Sequence, residues 1–300
     1  MTGAAWALAA GLGFGVFQTI NRRAVTDMDV FVATFIQVLV SALVLIAVSL
    51  ATVDISLLAT APAGALINFA LAGLFHFTIG WTFLNASQKR IGAARTGALV
   101  GTTPFFGALL ALFTLSETLS LPVLLGIVVI VAGVYVTSNP FGRKKNGNGS
   151  QPRNDRLRTL VIALGAPLCW SISPIFIRYG LAGLNSPLLG VTVGITASAL
   201  GYGVALLVRS RRVSSGSIAR EALILKVAAG ALVGLSTWGR WVALDLTAVA
   251  TVLALSLISV PTVNLLTPLV VDHQLERVTR EVWIGSVLIV VGVLFLVLMK

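Results

Sequence analysis

Long apolar stretches fill almost the whole sequence and constrain its fold more than any other feature. A helix needs about 18 or more apolar residues to cross a hydrocarbon core about 30 Å thick. Ten such runs are present: 4–22, 30–51, 62–84, 92–114, 121–138, 159–179, 186–208, 222–242, 247–270 and 281–299. They lack the alternation of β-barrel strands, and only 10% of the residues are charged, against about a quarter in soluble domains. The sequence therefore predicts an all-α membrane protein with ten transmembrane helices.

The second half of the sequence repeats the first in order. LSETLSLPVLLGIVVIVAGV (115–134) and QLERVTREVWIGSVLIVVGV (274–293) place Glu, Gly and Gly at equal spacing, 159 residues apart. Shifts of 156 to 160 residues align three further pairs: FGVFQTINR (14–22) with WSISPIFIR (170–178), WTFLNAS (81–87) with WVALDLT (241–247), and Pro104 with Pro261. We predict a five-helix repeat over 1–138, a linker over 139–158 and a second repeat over 159–300. Because five is odd, the two repeats must be inverted in the membrane.

The repeated segments carry small residues that suit close helix packing. Two glycine pairs have a seven-residue spacing: Gly126 with Gly133, and Gly285 with Gly292. Seven residues are close to two helical turns, so each pair lies on one face, and small residues let helices approach closely in lipid. We therefore expect helices 5 and 10 to act as scaffold. We expect Glu117 and Glu276 to face the positive dipole at the starts of these helices rather than to catalyse.

Lys and Arg residues are unevenly distributed between the two ends of the predicted helices. The connections after helices 1, 3, 5, 7 and 9 hold 18 of them, with Lys226 among these, against Arg178, Arg240 and Lys300 elsewhere. Lys and Arg mark cytoplasmic connections, so this distribution predicts both termini outside. Topology, rather than nucleic-acid binding, then explains the net charge of +11. The linker predicts a flexible cytoplasmic connection, either as an orientation signal alone or also in contact with anionic lipid.

The elements that recur in both halves resemble those of EamA-type members of the drug/metabolite transporter superfamily. They are an aromatic-small start (WSISP), W-x-x-L-N/D-x-S/T, a proline in the fourth helix, and Glu-x8-Gly-x6-Gly. The resemblance covers essentially the whole chain. It implies a plasma-membrane exporter or permease for small metabolites such as amino acids, with a cavity lined by helices 1, 3, 4, 6, 8 and 9. It also implies both termini in the cytoplasm, against the charge distribution. The small multidrug members have a proton-coupling carboxylate in helix 1, which this helix lacks.

Polar and aromatic residues inside the predicted spans are the candidates for substrate binding, because polar groups deep in a membrane are costly and usually face a cavity. Pro104 and Pro261 are predicted helix breaks, since a proline frees the carbonyl four residues earlier; a packing kink is the alternative. The predicted substrate-binding residues are Gln18, His76, Trp81, Thr103, Trp170, Ser173, Trp238, Arg240, Ser256 and Asn264.

Several of these residues fit a second interpretation. His76 is the midspan group whose charge can change near neutral pH, and it fits either substrate or proton contact or a neutral imidazole bonded to a neighbouring helix. Arg240 fits either attraction of a carboxylate substrate or snorkelling to the membrane interface. Trp170 and Ser173 fit either the wall of a binding site or core packing.

These features favour transport of a small amphipathic solute by alternating access between the inverted repeats. A membrane receptor or scaffold is the alternative, although the linker is the only soluble-looking segment. An intramembrane enzyme is disfavoured, because GLGFG (11–15) does not complete a phosphate-binding motif and close helix packing explains it. His76, His273 and Cys169 are too few and too distant for a zinc site. We expect a monomer in the lipid bilayer with a small-molecule substrate, and no cofactor, metal or nucleic acid.

Overall fold

The computed structural model describes residues 2–115, 121–138, 153–209 and 218–298, and these are almost entirely helical, with no strand among them. Helices occupy all ten apolar runs. In chain order they are α1 (Gly3–Val25), α2 (Val30–Thr52), α3 (Ala63–Ile91), α4 (Ala93–Val100 and Thr103–Leu115), α5 (Leu121–Ser138), α6 (Arg153–Gly183), α7 (Pro187–Arg209), α8 (Arg220–Leu246), α9 (Val249–Leu255, Ser256–Ile258 and Ser259–Val270) and α10 (Arg280–Leu298). By length and hydropathy, seven helices in the described residues can cross a membrane, namely α1, α2, α3, α6, α7, α8 and most of α9.

Side-chain caps and the ends of α6 and α8 define several boundaries. The hydroxyl of Thr2 accepts from the amide of Ala5 at the start of α1, and the carboxylate of Asp29 caps α2. Helix α6 begins at Arg153, so residues 153–158 of the predicted linker are helical; residues 139–152 lie outside the described residues. Helix α8 begins at Arg220. The assignment of Lys226 to a connection was therefore wrong, because this residue lies inside α8.

The exterior of the helix bundle is apolar, whereas many polar side chains are buried. Leu200, Leu207 and Val208 on α7 are 68%, 77% and 83% exposed. By contrast, Gln37 and Asn85 are completely buried. Large exposed apolar surfaces are rare on monomeric soluble proteins, and polar groups in membrane helices turn towards the protein interior. This distribution therefore agrees with a multi-pass membrane protein.

Helices α5 and α10 cross at the predicted glycines. A Cβ atom on Gly133 would lie 2.9 Å from the carbonyl oxygen of Gly285, and one on Gly292 would lie 2.8 Å from that of Gly126. Real Cβ atoms essentially never approach another atom this closely, so only glycine permits the contact. The close packing predicted for these helices is confirmed. The pairing of 126 with 292 and 133 with 285 also shows that the two helices run antiparallel.

Helices from the two halves of the chain pack against each other in matched pairs. Helix α1 packs on α8 and α3 packs on α6, α2 packs on α8 and α3 packs on α7, and α1 packs on α9 and α4 packs on α6. Each contact becomes its counterpart when every helix is exchanged for the one five places along. Helices α2 and α7 contact each other, as α5 and α10 do. The interior of the bundle is thus built mainly from contacts between the halves.

Candidate solute-binding cavity

A narrow cavity, with about 40 Å³ of space for water-sized molecules, lies between the two halves. One water molecule needs about 10–15 Å³ on this measure, so the cavity is largely closed in this conformation. Six helices contribute its walls: α1, α3, α4, α6, α8 and α9, the same helices that the family resemblance implies. The predicted substrate-binding residues in its lining are Gln18, His76, Trp81, Thr103, Trp170, Arg240 and Ser256.

His76 lies at the cavity wall and bonds to the neighbouring helix. Its Nδ1 atom is 3.1 Å from Oγ of Ser173 on α6, and its ring stacks on Trp170 with centroids 5.3 Å apart. The ring also has Trp81 at its edge, at 6.4 Å. Each interpretation of His76 matches part of its surroundings. One ring nitrogen forms a hydrogen bond to a neighbouring helix, α6, while the ring itself lines the cavity, where it could contact a substrate. Ser173 is completely buried behind it.

A stretch of π-helix places His76 in this position. Residues Leu74–Gly80 of α3 form a π-helical segment, and such segments are frequent at functional sites. The indole N–H of Trp170 donates to the carbonyl oxygen of His76 at 3.2 Å, which gives a partner to a backbone group in the irregular turn. A Cβ atom on Gly80 would overlap the same indole nitrogen. The absence of a side chain on Gly80 thus leaves room for the indole of Trp170, whose hydrogen bond stabilises the π-helical segment beside the cavity.

Helices α4 and α9 are both interrupted at the cavity. Helix α4 breaks at Gly101–Thr102, two residues before Pro104. Helix α9 changes to a 3₁₀ turn at Ser256–Ile258, three residues before Pro261. Proline cannot donate to the carbonyl four residues earlier; for Pro104 this is the carbonyl of Val100, which accepts from the hydroxyl of Thr103 at 2.7 Å.

Arg240 is buried at the cavity and is not exposed on the outside of the bundle. The side chain is 5% exposed and lines the cavity, which favours the substrate interpretation over snorkelling. It lies six residues before the end of α8, or about 9 Å at 1.5 Å per residue. Its Nε and Nη2 atoms have no hydrogen-bond partner among the described residues. A cation that needs acceptors therefore lines the cavity.

Four predicted residues are absent from the cavity wall: Ser173, which lies behind His76, and Trp238, Asn264 and Pro261, which lie elsewhere. Trp238 on α8 packs against Trp6 of α1, with ring centroids 6.0 Å apart. Asn264 on α9 donates from Nδ2 to the hydroxyl of Ser286 on α10 at 2.9 Å. Asn264 and Pro261 line a second pocket, between α9 and α10. Trp238 and Asn264 were predicted to bind substrate, but the structure does not bring them to the central cavity.

The glycine-rich start of α1 lets this helix approach both α8 and α9. Cβ atoms on Gly11 and Gly15 would lie 3.1 Å from backbone atoms of Ser256 and Ser259, and one on Gly13 would overlap the hydroxyl of Ser236. The prediction that close helix packing explains GLGFG is confirmed. This packing carries Phe14, Phe17 and Gln18 to the cavity wall.

An ion pair closes the bundle at the end of α1. Nε of Arg22 lies 3.3 Å from the carboxylate of Glu276, and both side chains are less than 10% exposed. The same carboxylate accepts from the amides of Ala93 and Ala94 at 2.7 and 2.8 Å. Glu276 was predicted to face the start of α10, but it caps the first helix of α4 instead. Glu117 lies outside the described residues. Gly92, with φ of +90°, leaves the space that this carboxylate fills.

A buried lysine network lies beside this ion pair and was missed from the sequence. The side chain of Lys226 on α8 is completely buried. Its Nζ donates to Asn21 on α1, to Gln37 on α2 at 2.7 Å and to Asn85 on α3 at 3.1 Å. Gln88 accepts from Asn21 at 2.7 Å and donates to the backbone oxygen of Gln18 at 3.2 Å, which links the network to a cavity-lining helix turn. No salt bridge among the described residues includes Lys226.

The remaining cavity residues missed from the sequence are mainly apolar: Phe14, Phe17, Val100, Gly101, Val233, Leu253, Leu257 and Ser259. One signal was available, because Val233 and Arg240 are seven residues apart and so share a helix face. In the part of the chain that the structure describes, no group of three or more His, Cys, Asp or Glu residues is placed to hold a metal ion. Cys169 is a buried free thiol.

Comparison with known proteins finds a family match for the first part of the chain. The sequence over residues 1–139 matches the EamA-like transporter family. The matched segment is the first predicted repeat together with the first residue of the predicted linker. The family is part of the drug/metabolite transporter superfamily, and its members are transporters.

Solved structures share the fold of this chain. Fifteen chains match it. One of them, described only as a protein, is 20% identical with a TM-score of 0.65, and the match covers 98% of this chain and 96% of that chain. At this identity the likeness shows the fold alone. No curated protein matches the sequence.

Proposed function

We propose that the protein transports a small metabolite through the central cavity by alternating access between two inverted repeats. The observation that carries this proposal is a cavity walled by both halves, where α4 and α9 are interrupted at the wall itself. Interrupted membrane helices with substrate sites between repeats are typical of secondary transporters.

The contacts between helices support the inverted arrangement. Helices α5 and α10 run antiparallel through matching glycines, as the closing helices of two inverted five-helix units would. The exchange of each helix for its counterpart also preserves the pairing of α1 with α8 and of α3 with α6. The family match ends at residue 139, next to the predicted end of the first repeat at 138. A bundle built from two similar units has two similar arrangements, one open to each side.

One end of the pathway is closed by buried polar contacts. The Arg22–Glu276 ion pair joins the first half of the chain to the segment before α10, and Lys226 joins α8 to α1, α2 and α3. These contacts must separate when the cavity opens to that end. We infer that they are the gate at this end and that they close again after each transport cycle.

The test is protein-dependent solute flux. Purified protein in liposomes is given a mixed pool of labelled amino acids, organic acids and amines, with and without an imposed proton gradient. Protein-dependent accumulation or exchange of one solute class is expected. An absence of protein-dependent movement across the pool would contradict transport and leave a receptor or scaffold.

His76 provides the site-specific part of the test. His76→Ala removes a ring that lines the cavity and stacks on Trp170, so we expect lower flux with normal membrane abundance. His273→Ala is the matched control, because His273 is exposed in the connection before α10 and its loss should leave flux unchanged. Equal flux in both variants would remove His76 from the site.

A further inference from the structure

We propose that the central cavity binds a monocarboxylate with an apolar body, and that Arg240 holds its carboxylate. This inference rests on the proposed function, because it names the class of solute that the transport cavity takes. It narrows the expected range of metabolites to organic anions. Four properties of the described cavity support it: an unpaired buried cation, the absence of acidic side chains from the wall, the geometry of the guanidinium group and the apolar side chains in the rest of the wall.

Arg240 is a buried cation with too few partners. It is 5% exposed, and Nε and Nη2 have no partner among the described residues. Arginine does not lose its proton in proteins, so its charge cannot be avoided by deprotonation. An ion taken out of water without compensation carries a desolvation penalty that persists after relaxation. An anion in the adjoining cavity would compensate this charge.

The rest of the wall does not provide that anion. None of the described lining residues is Asp or Glu. None of the salt bridges among the described residues includes Arg240. The wall adds a donor, because the indole N–H of Trp81 is buried without a partner among the described residues. The described wall also carries one unpartnered acceptor, the side-chain oxygen of Gln18, but this oxygen is uncharged. The net charge of the wall therefore favours an anion and repels a second cation.

Guanidinium geometry favours a planar oxyanion. The planar fork of N–H groups in arginine matches a carboxylate through two parallel hydrogen bonds. Nε and Nη2 are two such donors on Arg240, and both are unpartnered in the described structure. One guanidinium balances one carboxylate, whereas a doubly charged phosphate would keep a negative charge in an apolar site. A carboxylate therefore fits this single cation better.

The remainder of the wall fits an apolar body. Phe14, Phe17, Trp170, Leu253 and Leu257 line the same cavity. Burial of apolar area favours a ligand with an aromatic or aliphatic group. A zwitterionic amino acid would bring an ammonium group for which the described lining offers no carboxylate. The geometry thus ranks monocarboxylates above amino acids and amines.

Four probes of nearly equal shape test this ranking: 3-phenylpropanoate, 3-phenylpropanamide, 3-phenylpropan-1-amine and L-phenylalanine, with inorganic phosphate as a fifth. Binding to purified protein is measured by titration calorimetry, and flux by counterflow in liposomes. We expect the carboxylate to bind at least tenfold more tightly than its amide. Equal affinity for both, no binding of the carboxylate, or Arg240-dependent binding of phosphate in its place would overturn the proposal.

Variants of arginine separate a binding role from a structural one. Arg240→Gln should abolish the preference for the carboxylate, and Arg240→Lys should keep part of it. Arg178→Gln is the matched control, because Arg178 is exposed at the protein surface and donates to the backbone of Thr247. Since Arg240→Gln removes an unpaired buried charge, its unfolding temperature should equal or exceed that of the wild type. A retained carboxylate preference in a folded Arg240→Gln protein would overturn the assignment.

The two proposals fail in different ways. Flux of the amide or the amine without flux of the carboxylate would leave transport intact and reject the anion site. Arg240-dependent binding of the carboxylate without flux of any solute would keep the anion site and reject transport.

Discussion

The Lys226 network leads to the prediction that losing the charge is milder than losing one of its partners. Asn21→Ala deletes an amide that accepts from Nζ of Lys226 and donates to Asn85 at 2.8 Å and Gln88 at 2.7 Å. Lys226→Met replaces the ammonium by an apolar chain of similar length. We expect Asn21→Ala to be the more destabilising of the two.

The hydrogen bonds set the size of the Asn21→Ala effect. The ammonium keeps Gln37 at 2.7 Å and Asn85 at 3.1 Å but loses its third acceptor. A hydrogen bond to a charged group contributes about 1.5–3 kcal/mol, and an unpaired buried acceptor costs about 1–3 kcal/mol. The second cost applies to Gln88, whose side-chain oxygen loses its donor. Together these effects lower the free energy of unfolding by about 3–5 kcal/mol.

Lys226→Met has opposing effects that nearly cancel. Asn85 still accepts from Asn21 at 2.8 Å, and Gln37 still accepts from Asn85 at 3.3 Å. Only the oxygen of Asn21 loses its donor, at a cost of about 1–3 kcal/mol, while removal of the buried charge relieves a desolvation penalty of several kcal/mol. We expect stability within about 1 kcal/mol of the wild type.

The assay is a double-mutant cycle in detergent micelles, with helix loss during SDS unfolding followed by circular dichroism. The double variant should be more stable than Asn21→Ala alone by about 1.5–3 kcal/mol, because no ammonium then lacks an acceptor. The reasoning is refuted if Lys226→Met is as destabilised as Asn21→Ala, or if the two effects simply add. The first result would mean that the ammonium contributes net stability, and the second would mean that Asn21 and Lys226 are not energetically coupled.

Two further predictions use matched pairs of variants in the same unfolding assay. Gly133→Ala places a methyl group 2.9 Å from the backbone of α10 and should lower the free energy of unfolding by about 1–3 kcal/mol. In Gly201→Ala the nearest atom to the new methyl group lies 4.0 Å away, so this variant should raise the free energy of unfolding by about 0.5–1 kcal/mol. Equal effects would contradict the packing argument. Glu276→Gln breaks a buried ion pair and should cost about 3 kcal/mol, while Glu221→Gln breaks an exposed one and should cost under about 1 kcal/mol. A mild Glu276→Gln would argue against a buried gate.

The helices could be predicted from the sequence, but their interruptions could not. Apolar runs longer than the membrane thickness place a helix whatever its details. In α3, however, the few polar residues of the apolar run give no periodicity that indicates where the backbone leaves the α-helical repeat. The π-helical segment at Leu74–Gly80 depends on a contact with Trp170, which lies on another helix in the second half of the chain.

Helix geometry explains why two predicted site residues lie elsewhere. Trp238 and Arg240 are two residues apart and so point about 200° apart around α8, which prevents both from facing one cavity. Asn264 follows the 3₁₀ turn at Ser256–Ile258. Three residues at 120° instead of 100° each rotate the following helix by about 60°, which turns Asn264 towards α10. Ser256 precedes this rotation and lines the cavity.

Burial of Lys226 could not be inferred from its position near the predicted start of a helix. Its acceptors come from three helices, and Asn21 and Asn85 are 64 residues apart. Single polar residues in α1, α2 and α3 were visible in the sequence, but their convergence on one ammonium requires the packing of α8 against α1 and α2. A buried lysine also changes the charge argument for topology.

Topology should be inferred from cations that contact water or lipid headgroups, and three of the counted cations are buried in the described structure: Arg22, Lys226 and Arg240. Without Arg22 and Lys226, the connections after α1, α3, α5, α7 and α9 keep 16 Lys and Arg residues. Without Arg240, the other end keeps two. The asymmetry persists, so we propose that the end of α1 is cytoplasmic and that the Arg22–Glu276 gate closes the cavity to the cytoplasm.

Cysteine labelling tests this orientation, since the single native cysteine, Cys169, is buried and is replaced by Ser for the experiment. Asp27 and Ser56 are exposed at opposite ends of α2. In intact cells, a membrane-impermeant maleimide should label Ser56→Cys and leave Asp27→Cys unlabelled until the membrane is permeabilised. The reverse pattern would place both termini in the cytoplasm, as the family resemblance implies, and the closed gate would then face the outside. The charge asymmetry would in that case not set the topology of this chain.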